Sequence, residues 1–197
     1  MLTQPIRVGY AMTGSFCTFA KSMRELEKLA KKGYDLTPIM SFHASSIDTR
    51  FGKADDFMMQ AENLCGKPVI RTIQDAEPIG PKKMFDIIVV APCTSNTLAK
   101  LALGVTDTPV TMAVKSHIRN QRPVVIAAAT NDALAAAAKN IGLLENLRNY
   151  YFVPLQQDDY VSKPYSMVAV FDKLEETMLL ALEGQQIQPM MLGFQEK

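Results

Sequence analysis

No stretch of this sequence is apolar for long enough to cross a bilayer. The strongest hydrophobic runs, residues 87–91 and 124–129, fall far short of the roughly 20 residues a membrane helix needs. Residues 1–20 lack the basic start and apolar run of a secretion signal, so the expectation is a cytoplasmic protein. Charge of one sign is missing too: 21 Lys and Arg face 20 Asp and Glu, a net charge of +1, and no basic run exceeds two residues. Nucleic acid and anionic membranes are therefore not expected partners. Cysteine is scarce and odd in number, and Cys17, Cys65 and Cys93 form neither a disulfide frame nor a CxxC pair, so they read as reduced thiols. His43 and His117 are the only histidines, and no surrounding Cys, His or acid spacing makes a metal site. A fixed-period repeat, a low-complexity tract, a GxGxxG and a P-loop are all absent.

What is present is a 197-residue chain, 48% hydrophobic and 21% charged, a globular composition that needs no staple to hold a core. Residues 6–11 are β-prone and stop at Thr13-Gly14-Ser15. Phe16, Phe19, Met23, Leu26 and Leu29 then recur at helical spacing. Lys31-Lys32-Gly33 predicts the end of that helix. Further strands are expected at 36–41, 69–73, 85–91, 124–129 and 150–153, and helices at 57–65, 95–103, 110–118, 132–140 and 167–178. The runs 85–91 and 124–129 suit strands covered on both faces. Strands alternating with helices predict an α/β fold, a three-layer Rossmann-like (flavodoxin-like) parallel sheet with helices on both faces. One domain is expected over 1–183, followed by a loosely tied tail at 184–197. The 110–118 segment and the Met-bearing helix at 57–65 are expected to leave apolar surface for a homo-oligomer.

In a parallel sheet ligands bind beyond the carboxyl ends of the strands, which directs attention to four loops. Gly14 and Ser15 precede a helix N-terminus that favours an anion such as a phosphate, while Ser15 also reads as a simple N-cap. Residues 91–97, Ala-Pro-Cys-Thr-Ser-Asn-Thr, put short hydrogen-bonding side chains at a strand exit, where they either cap a helix or meet a planar polar ligand. Ser41 ends the second strand, and Asn131-Asp132 follows the fifth. Cys93 reads as a packing residue, since neither histidine can be paired with it. Arg50, Lys53 and Lys163 sit in loops, where they either pair with carboxylates or are solvated surface charges.

The opening strand with Met12-Thr13-Gly14-Ser15-Phe16, and residues 91–100, resemble the FMN-binding loops of the homo-oligomeric flavin-containing cysteine decarboxylase superfamily. Pro92, Ser95, Asn96 and Thr97 match its second motif, with Cys93 and Thr94 in place of the usual Ala and Ser. More narrowly, residues 48–54, 104–109 and 157–164 resemble the family of B subunits of bacterial dipicolinate synthase, over about residues 5–182. That resemblance implies an oxidoreductase subunit working with a separate A subunit that brings NADP. Together they would oxidise a dihydrodipicolinate-type precursor to dipicolinate in the mother cell of a sporulating bacterium. It implies FMN held by Gly14, Ser15, Ser41, Ser95, Asn96, Thr97 and Asn131, and a small dicarboxylate substrate held by Arg50, Lys53 and Lys163. No catalytic residue is assigned. The decarboxylases' later Met-Asn segment is represented here, in residues 128–134, by Asn131 alone. A flavin-dependent decarboxylase of the same superfamily and a non-catalytic binding subunit are the alternatives. An absorption spectrum of the purified chain separates the flavin readings from the last.

Overall fold

The computed structural model describes residues 4–193. Strand β1 (Arg7–Met12) leads through a 3₁₀ turn (Phe16–Thr18) into α1 (Phe19–Lys31), and β2 (Asp35–Met40) is followed by α2 (Ala54–Cys65) and the short α3 (Ile73–Ala76). Next come β3 (Ile87–Cys93), α4 (Ser95–Leu103), α5 (Pro109–Ile118), β4 (Val124–Thr130) and α6 (Ala138–Glu145). The chain closes with β5 (Tyr150–Phe152), β6 (Leu155–Gln156), β7 (Met167–Ala169) and α7 (Leu174–Leu182). The sheet order is β2-β1-β3-β4-β7-β6, with β5 also on β4. Every residue of β3 is buried, as are the first six of β4, which is why both read as unbroken apolar runs. Helix α1 buries Phe19, Met23, Leu26 and Leu29 and packs with α2 and with the turn before α7, while α5 packs with α3 and α4, and α4 with α6. These helix groups form the outer layers of a three-layer α/β sandwich.

The core of the sheet is parallel, but its far side is not. The outer edge of β4 is shared: Val124–Ile126 pair in parallel with β5, and Ala129 and Thr130 pair antiparallel with β7. The expected helix at 167–178 thus begins as a strand, turns through Phe171–Lys173 and becomes helical only at Leu174. Met167 and Ala169 are buried and Val168 is half-buried, a period-two pattern. The expected strand at 69–73 shrinks to one bridge, Ile70 with Ile39, because Thr72 Oγ1 accepts the amide of Asp75 and starts α3. The expected helix at 132–140 starts only at Ala138. Before it, the amides of Ala135 and Ala137 both donate to the Asp132 carbonyl, and Leu134 donates to Tyr165, which diverts the chain from helical bonding.

Two other expectations change. Val110, Ala113 and Val114 are fully buried within this chain, so α5 offers no apolar face to a second copy. Gly80 makes the close approach that lets α5 dock, since a Cβ there would lie 2.3 Å from the Ser116 carbonyl oxygen. Residues 184–193 are tied to the sheet rather than hanging free. Gln186 exchanges hydrogen bonds of 2.8 and 2.7 Å with the Phe152 backbone, and Leu155 bonds to Met190 and Leu192 at 2.8 Å each.

Candidate functional site

The order β2-β1-β3-β4 places the carboxyl ends of four adjacent parallel strands in a row. Met40 lies beside Met12, Ala11 beside Val90, and Cys93 beside Ala128. The loops that leave them, at 41–43, 13–15, 93–97 and 130–132, are therefore neighbours, at the edge where such sheets take ligands. Direct bonds join three of them. Ser41 donates its amide to Met12 at 3.0 Å. Thr13 donates both its amide (3.2 Å) and its hydroxyl (2.8 Å) to the Pro92 carbonyl, and its Oγ1 accepts the amide of Thr94 at 3.0 Å. Thr13 is 1% exposed, and it locks the first loop to the third. The start of α1 is fixed from below: Tyr10, fully buried, donates its hydroxyl to the Ser22 carbonyl at 2.9 Å, and the Ser22 hydroxyl donates to Ala91.

Within this row the side chains divide into two groups. Ser15 Oγ accepts from Thr18 at 3.1 Å, Ser41 Oγ accepts the amide of Ala44 at 3.3 Å, and Thr97 is buried against Thr94, whose Oγ1 caps α4 by accepting the Thr97 amide. These three hold their loops in shape. Ser95, Asn96 and Asn131 make no side-chain hydrogen bond among the described residues and stand at least partly open to solvent. Gly14 is not left-handed, and a Cβ there would meet its nearest neighbours, His43 and Phe16, at an ordinary 3.5 Å. The fold itself does not demand a glycine at this point, and the residue leaves the backbone of the first turn accessible from outside.

Cys65, Cys93 and His117 offer no reactive group to this row, while exposed Cys17 and His43 border its first turn. Cys93 is fully buried, and burial drives its thiol well above the usual range, which leaves it protonated and inert. Burial also pushes the Cys65 thiol up to about 12. His117, 1% exposed, donates Nε2–H to the Pro123 carbonyl at 3.1 Å, and its pKa is lowered to about 4 by burial, with Arg122 adding to the effect. His43 is exposed beside Gly14. Among the described residues no group of three His, Cys, Asp or Glu could hold a metal, and no helix is long and apolar enough to cross a membrane.

Of the loop cations, Arg50 lies 4.8 Å over the ring of Phe51 and Lys53 immediately precedes α2. Lys163 is 3.6 Å from Asp158 in the 157–166 loop, which meets the 130–134 loop through Ser166 Oγ–H to the Thr130 carbonyl at 3.4 Å and the Leu134 amide to the Tyr165 carbonyl at 3.0 Å, and no contact among the described residues joins it to the other two cations. Thr13 is the residue that sequence reasoning passed over. Its position between strand and glycine was visible, but its partner Pro92 is 79 residues away and only the sheet order joins them.

The Flavoprotein family model matches residues 2–179. The B subunit of dipicolinate synthase from Bacillus subtilis (strain 168) is 42% identical over 186 residues, covering 94% of this chain and 93% of that protein. The crystal structure of the corresponding dipicolinate synthase B subunit from Bacillus halodurans C superposes with a TM-score of 0.88 at 37% identity, over 97% of this chain and 98% of that one. The FMN-dependent cysteine decarboxylase SpaF superposes with a TM-score of 0.70 at 20% identity, over 91% and 98% of the two chains, a likeness of fold.

Proposed function

This chain belongs to the Flavoprotein family, and from that premise we propose that it is the B-type subunit of a dipicolinate synthase. It would act with a separate A subunit, which brings NADP, to oxidise a dihydrodipicolinate-type precursor to dipicolinate. The observation that carries this reading is the 42% identity to a dipicolinate synthase B chain across nearly the full length of both proteins. FMN suits the row of loops: an accessible glycine turn leads to α1, and the side chains of Ser95, Asn96 and Asn131 make no hydrogen bond among the described residues. The turn at Gly14 and Ser15, whose Ser15 amide is donated to the Thr13 carbonyl at 2.7 Å, would take the phosphate on its other backbone amides, and the three uncommitted side chains would meet the polar edge of the ring. Ser15, Ser41 and Thr97, bonded within their own loops, would hold the frame. When bound, FMN supplies a hydride acceptor. Arg50, Lys53 and Lys163 are the loop cations proposed to meet the substrate's carboxylates.

The test has two parts. The purified chain should show a flavin absorption spectrum after incubation with FMN and gel filtration, and together with the A chain and NADP it should restore dipicolinate formation. A flavin-free chain that restores full turnover would make this a non-catalytic binding subunit. Turnover without the A chain would remove the proposed division of labour.

A further inference from the structure

The row of loops leaves one large cavity unexplained, a half-open cleft of about 910 Å³ between α1 and the β6–β7 hairpin. That is the size of a small-molecule site. Its two walls differ in charge. The helix wall presents Lys21, Arg24 and Lys28, spaced three and seven residues apart on one face, together with the buried Glu25. The hairpin wall presents Asp158 and Asp159, and the turn before α7 adds Asp172. That second wall also contributes the apolar surface of Val168, Val170 and Phe171.

Charge accounting decides what the cleft can hold. Its four carboxylates fall into two pairs, and each pair shares one lysine. Glu25 and Asp172 share Lys28, whose Nζ bonds to them at 2.7 and 3.0 Å. Asp158 and Asp159 share Lys163, which lies 3.6 Å from Asp158 and acts on Asp159 only through its charge. Ser162, which donates its amide to Asp159 at 2.9 Å and its hydroxyl as well, adds no charge. Each pair therefore keeps one negative charge that no paired cation matches. On the helix wall, Lys21 and Arg24 make no hydrogen bond or ion pair among the described residues, and Arg24 acts on Asp172 only through its charge. Two unmatched charges of each sign give no advantage to a simple anion or a simple cation. A molecule carrying both a carboxylate and an ammonium meets complementary charge on both walls. Arg24 can grip the carboxylate through two parallel hydrogen bonds, and Asp159 can still accept after Ser162 has donated, because an ionised carboxylate offers about four acceptor sites. We propose that this cleft binds an α-amino acid with a large apolar side chain, its carboxylate on Arg24 and Lys21, its ammonium on Asp159 and its side chain against Val168 and Val170. The inference goes beyond the proposed function and rests on neither the flavin nor the A chain.

The test is calorimetric titration of L-phenylalanine into the purified full chain at fixed ionic strength. Three molecules that each lack one feature are titrated alongside: 3-phenylpropanoate without the ammonium, 2-phenylethylamine without the carboxylate, and glycine without the side chain. The wild type is expected to bind L-phenylalanine at least about 10-fold more tightly than any of the three. Arg24→Gln and Asp159→Asn should each weaken L-phenylalanine roughly 10- to 100-fold. Each should also have its own signature: Arg24→Gln leaves the weak binding of 2-phenylethylamine unchanged, and Asp159→Asn leaves that of 3-phenylpropanoate unchanged. Lys139→Gln, on α6, controls for removal of a surface charge and should change nothing. Melting temperatures without ligand should be the same in the Arg24 and Lys139 variants as in the wild type, because both residues are exposed, and Asp159→Asn keeps an oxygen for Ser162. No binding of L-phenylalanine by the wild type would overturn the site. So would equal affinity for any of the three partial molecules, wild-type affinity in both cleft variants, or an equal loss in Lys139→Gln.

Discussion

A single hydroxyl joins two of the loops proposed to hold the cofactor. Thr13→Val keeps the shape of the side chain but leaves the Thr94 amide without its acceptor and removes one of two donors to Pro92. In so buried a place that should cost about 1–3 kcal/mol in denaturant unfolding, and FMN affinity should fall with it. Thr13→Ser, which retains the hydroxyl, should recover most of both. Gly14→Ala makes the converse separation. With only ordinary contacts awaiting a Cβ, stability should change by no more than about 0.5 kcal/mol, while flavin affinity drops because the new methyl faces the ligand. Unchanged affinity in Gly14→Ala would leave the glycine with no role in binding. His117 gives the pH dependence. Its pKa of about 4 in the fold lies below its ordinary 6.5, so the folded state prefers the neutral ring. The stability this confers is complete above about pH 6.5 and lost as pH falls towards 4, on the order of 3 kcal/mol in all. Urea midpoints measured from pH 7 to 4 should show that slope in the wild type and a flatter one in His117→Gln, uncharged throughout.

At the scale of elements, caps and edges decide where sequence patterns hold. Helix α5 opens on a reciprocal cap: Thr108 Oγ1 accepts the Thr111 amide at 3.1 Å and Thr111 Oγ1 accepts the Thr108 amide at 3.0 Å. Thr108→Ala should therefore cost about 1 kcal/mol by thermal or chemical melt, and an unchanged melt would mean that packing against α3 alone sets the helix start. Strands β3 and β4 were legible because burial on both faces leaves an unbroken apolar run, and Lys31-Lys32-Gly33 was legible as a helix end because Gly33 takes a left-handed φ of 83°. Residues 167–178 misled for a physical reason. Met167 and Ala169 bury one face of a short strand while Phe171, Leu174 and Met178 bury one face of a turn and helix, and the combined spacing imitates a longer helix. The candidate loops could be found as strand ends, but not which of their side chains were already committed. Ser41 and Asn131 look alike in sequence, and only the bond to Ala44 tells them apart.

For the whole molecule, the surface left over after folding bears on assembly. The apolar face once expected on α5 is consumed inside the chain, so any self-association must use other residues. Phe42, Ile47, Phe51 and Met59 are 45%, 41%, 45% and 59% exposed, and all fall within one segment that leaves β2 and enters α2, beside the candidate site. Large apolar groups clustered in one exposed stretch are unusual on a monomer, and identical chains that bury such a patch against one another close most simply through rotational symmetry. We expect a homo-oligomer in closed symmetry at micromolar concentration without the A subunit, measured by light scattering coupled to gel filtration. Met59→Glu combined with Phe51→Ser should shift it towards the monomer while leaving the circular dichroism spectrum unchanged, since neither side chain belongs to the buried core. The neighbouring candidate site adds a second readout. If the partner copy completes that site, the double variant should also lose FMN affinity in proportion to its dissociation. If it binds FMN as tightly as the wild type while monomeric, each chain holds its cofactor alone. A wild-type chain that is monomeric at this concentration would instead assign the patch to the A subunit, whose addition should then protect residues 42–59 from hydrogen exchange.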